Sequence, residues 1–228
     1  MSGSAGPFGF VVGMRREARI VEDIFGDAAR CLCSGADSER AAARARELLA
    51  AGCPLLVSVG YAGGLDPALT VGDIVTADHV LAPDGTVFQA RVPELRGGAR
   101  FRIGPVLGSA HAIERPEAKA TAFSRTGALA VDMESHAVAA VAVSRSAPFC
   151  VLRAVLDDAR TAAPAWTAKT VTPDGGTDWR RLTGGILSNP GDLPALMALG
   201  KAERRAAAAL REALAVLRGV LAHETRVP

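Results

Sequence analysis

Residues 55–65 read Leu-Leu-Val-Ser-Val-Gly-Tyr-Ala-Gly-Gly-Leu. The apolar run Leu55–Val59 stands between Pro54 and Gly60, is too short for an ordinary helix, and reads as a buried strand. The stretch behind it, Gly60-Tyr61-Ala62-Gly63-Gly64, is built of small residues. Such residues let a ligand approach the backbone and use its N–H groups, and they equally suit a tight turn that needs positive φ.

Outward from this strand, short apolar runs alternate with helical patterns. Toward the N-terminus lie a strand at Phe8–Val12, a helix at Arg15–Phe25, a short strand at Ala29–Cys33 and an Ala-rich helix from an N-cap at Ser38 to about Ala51. Toward the C-terminus lie strands at Asp73–Ala77, Arg102–Leu107, Ala128–Val131 and Phe149–Leu156. Helices are expected at Glu114–Ser124 and from about Glu134 to Ser144. This alternation predicts an α/β fold with helices on both faces of the sheet. Residues 159–190, rich in Pro and Gly, read as a long loop carrying Trp166 and Trp179, and 194–223 as a final helix. One domain is expected over residues 8–223, with residues 1–7 a flexible N-terminus.

Composition narrows the function. A net charge of +2 over 228 residues gives no reason to expect nucleic acid as a partner. Lys119, Lys169 and Lys201 are the three lysines of an Arg-rich chain. Cys31 and Cys33 form a C-x-C with no second pair or neighbouring His, so no metal site is expected. With no signal peptide pattern and no apolar run near ~20 residues, the expected compartment is the cytoplasm.

Ligands of open α/β sheets bind beyond the carboxyl ends of strands. Four clusters sit there. Glu17, in Gly13-Met14-Arg15-Arg16-Glu17, reads by itself as a first-turn surface carboxylate favoured by the helix dipole. Gly60–Leu65 is the second. In the third, Val131-Asp132-Met133-Glu134-Ser135-His136, a carboxylate can accept two hydrogen bonds from a ribose diol and a Met can lie against a sugar or base. Asp132 and His136 read there as structural. The fourth, Leu152-Arg153-Ala154-Val155-Leu156-Asp157-Asp158, ends in two acids. Crowding and burial would raise one carboxyl pKa, as a proton donor needs, and a solvated loop is the equal alternative.

VVGMRREA, VSVGYAGGLDPALTVGDIV, ALAVDMESHAVA and PFCVLRAVLDDA together resemble the nucleoside phosphorylase superfamily, in its methylthioadenosine/adenosylhomocysteine nucleosidase branch. With MESHAV and the pattern around Pro190–Leu196, the chain is also similar to the hopanoid-associated phosphorylases. The resemblance implies a three-layer αβα sandwich around a mixed sheet. It implies Asp157 as the acid that protonates the purine at N7, Glu17 as the activator of water and Glu134 as the holder of the ribose hydroxyls. Met133 would lie beside the sugar, with Ala62, Gly63 and Tyr61 lining the substrate site.

The sequence also departs from the nucleosidase pattern. Tyr61 and Leu156 each replace a serine, and Ser58 stands where some phosphorylases carry a phosphate-binding arginine. Ser34, Arg16 and Ser109 are the candidate phosphate contacts. The expected reaction is cleavage of the N-glycosidic bond of a 5′-modified adenosine, with no organic cofactor. Phosphorolysis of adenosylhopane, with phosphate as co-substrate, is the leading expectation. Hydrolysis in the manner of the nucleosidases is the first alternative and a non-catalytic nucleoside-binding protein the second. A lipid-linked nucleoside and contact with a membrane surface are expected with the leading reading, and the family resemblance implies self-association into a homo-oligomer.

Overall fold

The computed structural model describes residues 6–95, 100–162, 166 and 170–224. Of the expected N-terminal tail, Met1–Ala5 lie outside the described residues. In chain order the elements are β1 (Phe8–Val12), α1 (Arg15–Phe25), β2 (Ala29–Cys33), α2 (Ser38–Ala50), β3 (Leu56–Gly64), β4 (Ile74–Leu81), β5 (Val87–Gln89), β6 (Phe101–Gly108), α3 (Pro116–Thr126), β7 (Ala130–Asp132), α4 (Ser135–Ser144), β8 (Phe149–Asp157), α5 (Trp179–Ser188) and α6 (Leu193–Glu224).

The strands form one mixed sheet, ordered β2-β1-β3-β7-β6-β4-β5, with β8 paired to both β3 and β4. β3 organises it. Parallel β8 follows one edge from Leu56 to Gly63, with a shift in register after Ala62. β1 pairs with Leu56–Ser58 at the start of β3, and antiparallel β7 pairs with Gly63 and Gly64 at its end. A single long strand thus brings the ends of β1, β7 and β8 together.

Each face of the sheet has its own apolar core, the arrangement expected of a three-layer sandwich. On one face, Ala41, Ala45 and Leu48 of α2 and Val138, Ala139 and Ala142 of α4 pack on Val11, Leu56 and Val151. On the other, Ile20, Val21 and Phe25 of α1 and Leu210, Leu214 and Leu217 of α6 pack on Phe10, Val57, Val59 and Leu152. Alanine takes the positions where helices approach the sheet closely, which suits a chain with 4% aromatic residues.

Three expectations need correction. The segment Gly60–Gly64 is not a turn but the second half of β3, paired with β8 through Gly63 and with β7 at Gly63 and Gly64. The expected loop over 159–190 contains α5, whose N-terminus is capped by the Asp178 carboxylate accepting from the N–H groups of Arg180 and Arg181. The N-cap of α2 is Asp37 rather than Ser38, its carboxylate accepting from Arg40 N at 2.8 Å.

Candidate active site

A cleft of about 960 Å³ opens where β1, β3, β7 and β8 end. Glu17, Tyr61, Ala62, Gly63, Met133, Glu134, Asp157 and Arg16 all line it. Ser34 and Ser109 do not. Ser34 is fully buried and donates its hydroxyl to the Val12 carbonyl at 3.2 Å. The Ser109 hydroxyl donates to the His111 carbonyl at 2.6 Å. Arg16 is at the cleft, yet it pairs with Glu203 of α6 at 2.7 Å and lies 5.9 Å from the centre of the Tyr61 ring.

Glu17 is 2% exposed, so its reading as a surface carboxylate is overturned. α1 begins with its first turn under the sheet end, and Glu17 accepts from Met14 N at 2.8 Å and from Tyr61 N at 2.9 Å. Burial pushes its carboxyl above the usual range despite these bonds and the nearby Arg153. Gly60 makes the approach feasible, because a Cβ there would lie 2.8 Å from both Glu17 Oε1 and Arg153 Nη1. Gly13 plays the same part for the neighbouring acid. A Cβ on Gly13 would stand 2.8 Å from Glu134 Oε1 and 3.4 Å from Glu17 Oε2, so these two carboxylates flank one point above Gly13.

Glu134 stands at the N-terminus of α4 and is 5% exposed. Burial pushes its pKa up to about 8; Arg153 opposes this, and the charges of Asp132 and Glu17 reinforce it. Asp132 serves the fold. Its Oδ1 accepts from Ser135 N at 3.0 Å and Ser135 Oγ at 2.7 Å, which caps α4.

Two buried basic residues that pair with the acids of this site were not assigned roles from sequence. Arg153, on β8, is 1% exposed. It pairs through Nε with Asp132, lies 3.5 Å from Glu134 Oε2, and donates to Ser58 Oγ at 2.6 Å. The signal was an arginine alone in the apolar run Phe149–Leu156, where an unpaired charge would be costly. Lys119, on α3, is fully buried and pairs with Asp157 Oδ2. Its remaining protons go to the carbonyls of Asp158 at 2.7 Å and Thr161 at 3.1 Å. Burial raises the Asp157 pKa above the usual range, and the Lys119 ammonium restrains the rise.

The outer wall of the cleft is apolar. Leu182 and Ile186 of α5 and Leu196 and Leu199 of α6 line it, with Trp179, 70% exposed, at the mouth. Gly185 packs against the Trp166 ring, and the indole N–H of Trp166 donates to Asp192 at 2.8 Å. Among the described residues no cluster of His, Cys, Asp and Glu could hold a metal ion, and no helix is long and apolar enough to cross a membrane.

A family model described as the phosphorylase superfamily matches residues 20–95 and 89–187. A 5′-methylthioadenosine/S-adenosylhomocysteine nucleosidase of Mycobacterium bovis is 27% identical, over 60% of this chain and 68% of that one. Among solved structures, the same-named nucleosidase of Helicobacter pylori with butyl-thio-DADMe-Immucillin-A aligns with a TM-score of 0.69 at 15% identity, covering 96% of this chain and 99% of that one. That of Neisseria meningitidis with methylthio-immucillin-A also gives 0.69, at 16% identity, covering 93% and 99%. At these identities the structural matches speak to the fold.

Proposed function

The chain belongs to the phosphorylase superfamily, and within it we propose a nucleosidase that hydrolyses the N-glycosidic bond of a 5′-substituted adenosine. The observation that carries this reading is the convergence of Asp157, Glu17 and Glu134 on one cleft, Glu17 and Glu134 buried and Asp157 partly so, each with a raised pKa. Adenine leaves poorly until N7 gains a proton, and Asp157, at the end of β8, is the proton donor. As the bond stretches the ribose becomes oxocarbenium-like, and the positive charge developing beside Glu17 and Glu134 favours their ionised forms. Glu134 holds the ribose hydroxyls with Met133 against the sugar. Glu17 takes the proton of the attacking water, whose oxygen joins the anomeric carbon.

Water rather than phosphate is the nucleophile in this reading. Of the residues expected to bind phosphate, Ser34 and Ser109 are off the cleft and Arg16 is paired with Glu203. A buried carboxylate in place of a cation repels a phosphate dianion. The names of the curated relatives favour the same choice.

The apolar wall of α5 and α6 supports a finer reading in which the 5′ substituent is large and apolar, as in adenosylhopane. Trp179, Leu187, Leu193 and Met197, all at least half exposed, would then meet the lipid or a membrane surface. The cytoplasm is the compartment this reading implies. The test is adenine release from adenosine, methylthioadenosine and adenosylhopane, each with and without phosphate. Hydrolysis expects full activity without phosphate. Activity that appears only with phosphate, with formation of a sugar 1-phosphate, would restore phosphorolysis as the reaction.

A further inference from the structure

Asp157 is addressed by one side chain. Leu156 beside it is apolar, and among the described residues the side chain that donates to Asp157 is that of Lys119. The pairing is built rather than incidental. Lys119 is fully buried on α3, 38 positions from Asp157 in sequence, and its ammonium meets three acceptors: Asp157 Oδ2 and the carbonyls of Asp158 and Thr161. An ammonium has three protons to donate, and here all are committed. Asp157 Oδ1 receives no hydrogen bond from any described residue, and Asp157 lines the cleft.

We infer that Lys119 is the positioning residue of the acid: it occupies Oδ2, directs the carboxyl proton to Oδ1 on the cleft side, and strengthens the acid for transfer to a purine nitrogen. A proton on Oδ2 would face an ammonium that has no site to accept it. The proton on Oδ1 leaves with its bond to oxygen broken and a bond to the purine nitrogen formed. The carboxylate that remains is stabilised by the ammonium opposite. The inference rests on the nucleosidase reading, since it makes Asp157 the proton donor.

The other groups around Asp157 leave Lys119 as its cation. From β8 comes Asp158, whose charge opposes ionisation of Asp157. β3 contributes Gly63, with a Cβ position 3.6 Å from both carboxyl oxygens, and Gly64. β7 contributes Val131, and the approach to α3 brings His111 and Glu114 to the same cleft. Burial favours the protonated acid and Lys119 favours the carboxylate, so the two act on the same proton in opposite directions.

Lys119→Met removes the cation at similar length. Removing it raises the Asp157 pKa, so the alkaline limb of the kcat/KM profile moves to higher pH. Because the acid is weaker and its proton no longer directed, kcat falls by about 10²-fold, the low end for a positioned acid, with little change in KM. Lys119→Arg keeps the charge and leaves the limb in place. A mere anchor for residues 158–161 would instead lower activity equally at every pH in both variants, and that result overturns the inference. Should neither variant fold, the carboxyl ¹³C titration of Asp157 in the wild-type protein decides. Titration above the ordinary carboxylate range supports the inference, and titration below it means Lys119 simply keeps Asp157 ionised and overturns it. Wild-type protein that binds a methylthioadenosine analogue but releases no adenine from any nucleoside would defeat the nucleosidase reading itself, and this inference with it.

Discussion

The two sides of the cleft solve one electrostatic problem in opposite ways. On the side of β1 and α4, three carboxylates, Asp132, Glu134 and Glu17, gather around a single arginine, Arg153. On the side of α3, a single carboxylate, Asp157, has a lysine to itself. The first side gathers more acid than its cation can balance, so burial and mutual repulsion raise the pKa values of Glu17 and Glu134, and a sugar becoming positive beside them favours their ionisation. The second is balanced, which suits a group that gives up one proton and must remain stable afterwards. Sharing or not sharing a cation is what distinguishes a charge-stabilising wall from an acid.

The largest expected effect comes from removing the acid. Asp157→Asn should lower kcat for adenine release by about 10²–10⁴-fold while ribose-linked binding, followed by titration with a methylthioadenosine analogue, changes far less. Loss of binding as large as the loss of turnover would make Asp157 a binding group and erase the contrast between the two sides.

Next is the shared cation. Arg153→Met leaves buried acids uncompensated, and breaking a buried pair in this way costs about 3–5 kcal/mol. Thermal unfolding at pH 7 should show that loss, and part of it should return as the pH falls and the carboxylates take up protons. A variant as stable as the wild type at pH 7 would mean the carboxylates there do not depend on Arg153.

A smaller effect tests Glu134 alone. Its folded-state pKa of about 8 lies above its unfolded value, so the folded protein holds a proton that the unfolded chain releases. Stability should therefore fall as pH rises between about 4.5 and 8. Glu134→Gln should flatten that slope in urea unfolding curves taken across the window; an unchanged slope would assign it to other groups, Glu17 first among them.

The smallest effect concerns the outer wall. Trp179→Ala should leave methylthioadenosine turnover within about twofold, since a surface side chain away from the chemistry contributes little. It should raise KM for nucleosides with long apolar 5′ groups. Equal changes for both substrates would remove α5 from the substrate site.

Much of this was legible in the sequence. The apolar runs and helical patterns located β1, α1, β2, α2, α4 and β8 within a few residues, because β1 and β8 are central strands buried on both faces and α1 buries one stripe of apolar residues. Glu134, Met133 and Asp157 were legible as strand-end residues. What escaped in the site shares a cause: distance along the chain. Glu17 reads as a surface acid because it sits in a first turn, and its burial depends on the N–H of Tyr61, 44 residues away. Lys119 carries no role in the sequence because its partner lies 38 residues on. α5 was hidden by Gly184 and Gly185, poor helix formers, although Asp178 as a cap and the spacing of Trp179, Leu182 and Ile186 were present. Gly185 is small there because Trp166 packs on it.

The proposed reaction is hydrolysis, with water added at the anomeric carbon while Asp157 protonates the departing adenine. The direct measurement is turnover of methylthioadenosine in phosphate-free buffer made with ¹⁸O-labelled water, with mass analysis of the sugar. Hydrolysis predicts free adenine and a reducing sugar carrying one ¹⁸O at its anomeric carbon. No adenine until phosphate is added, and then a sugar 1-phosphate without label, would contradict it.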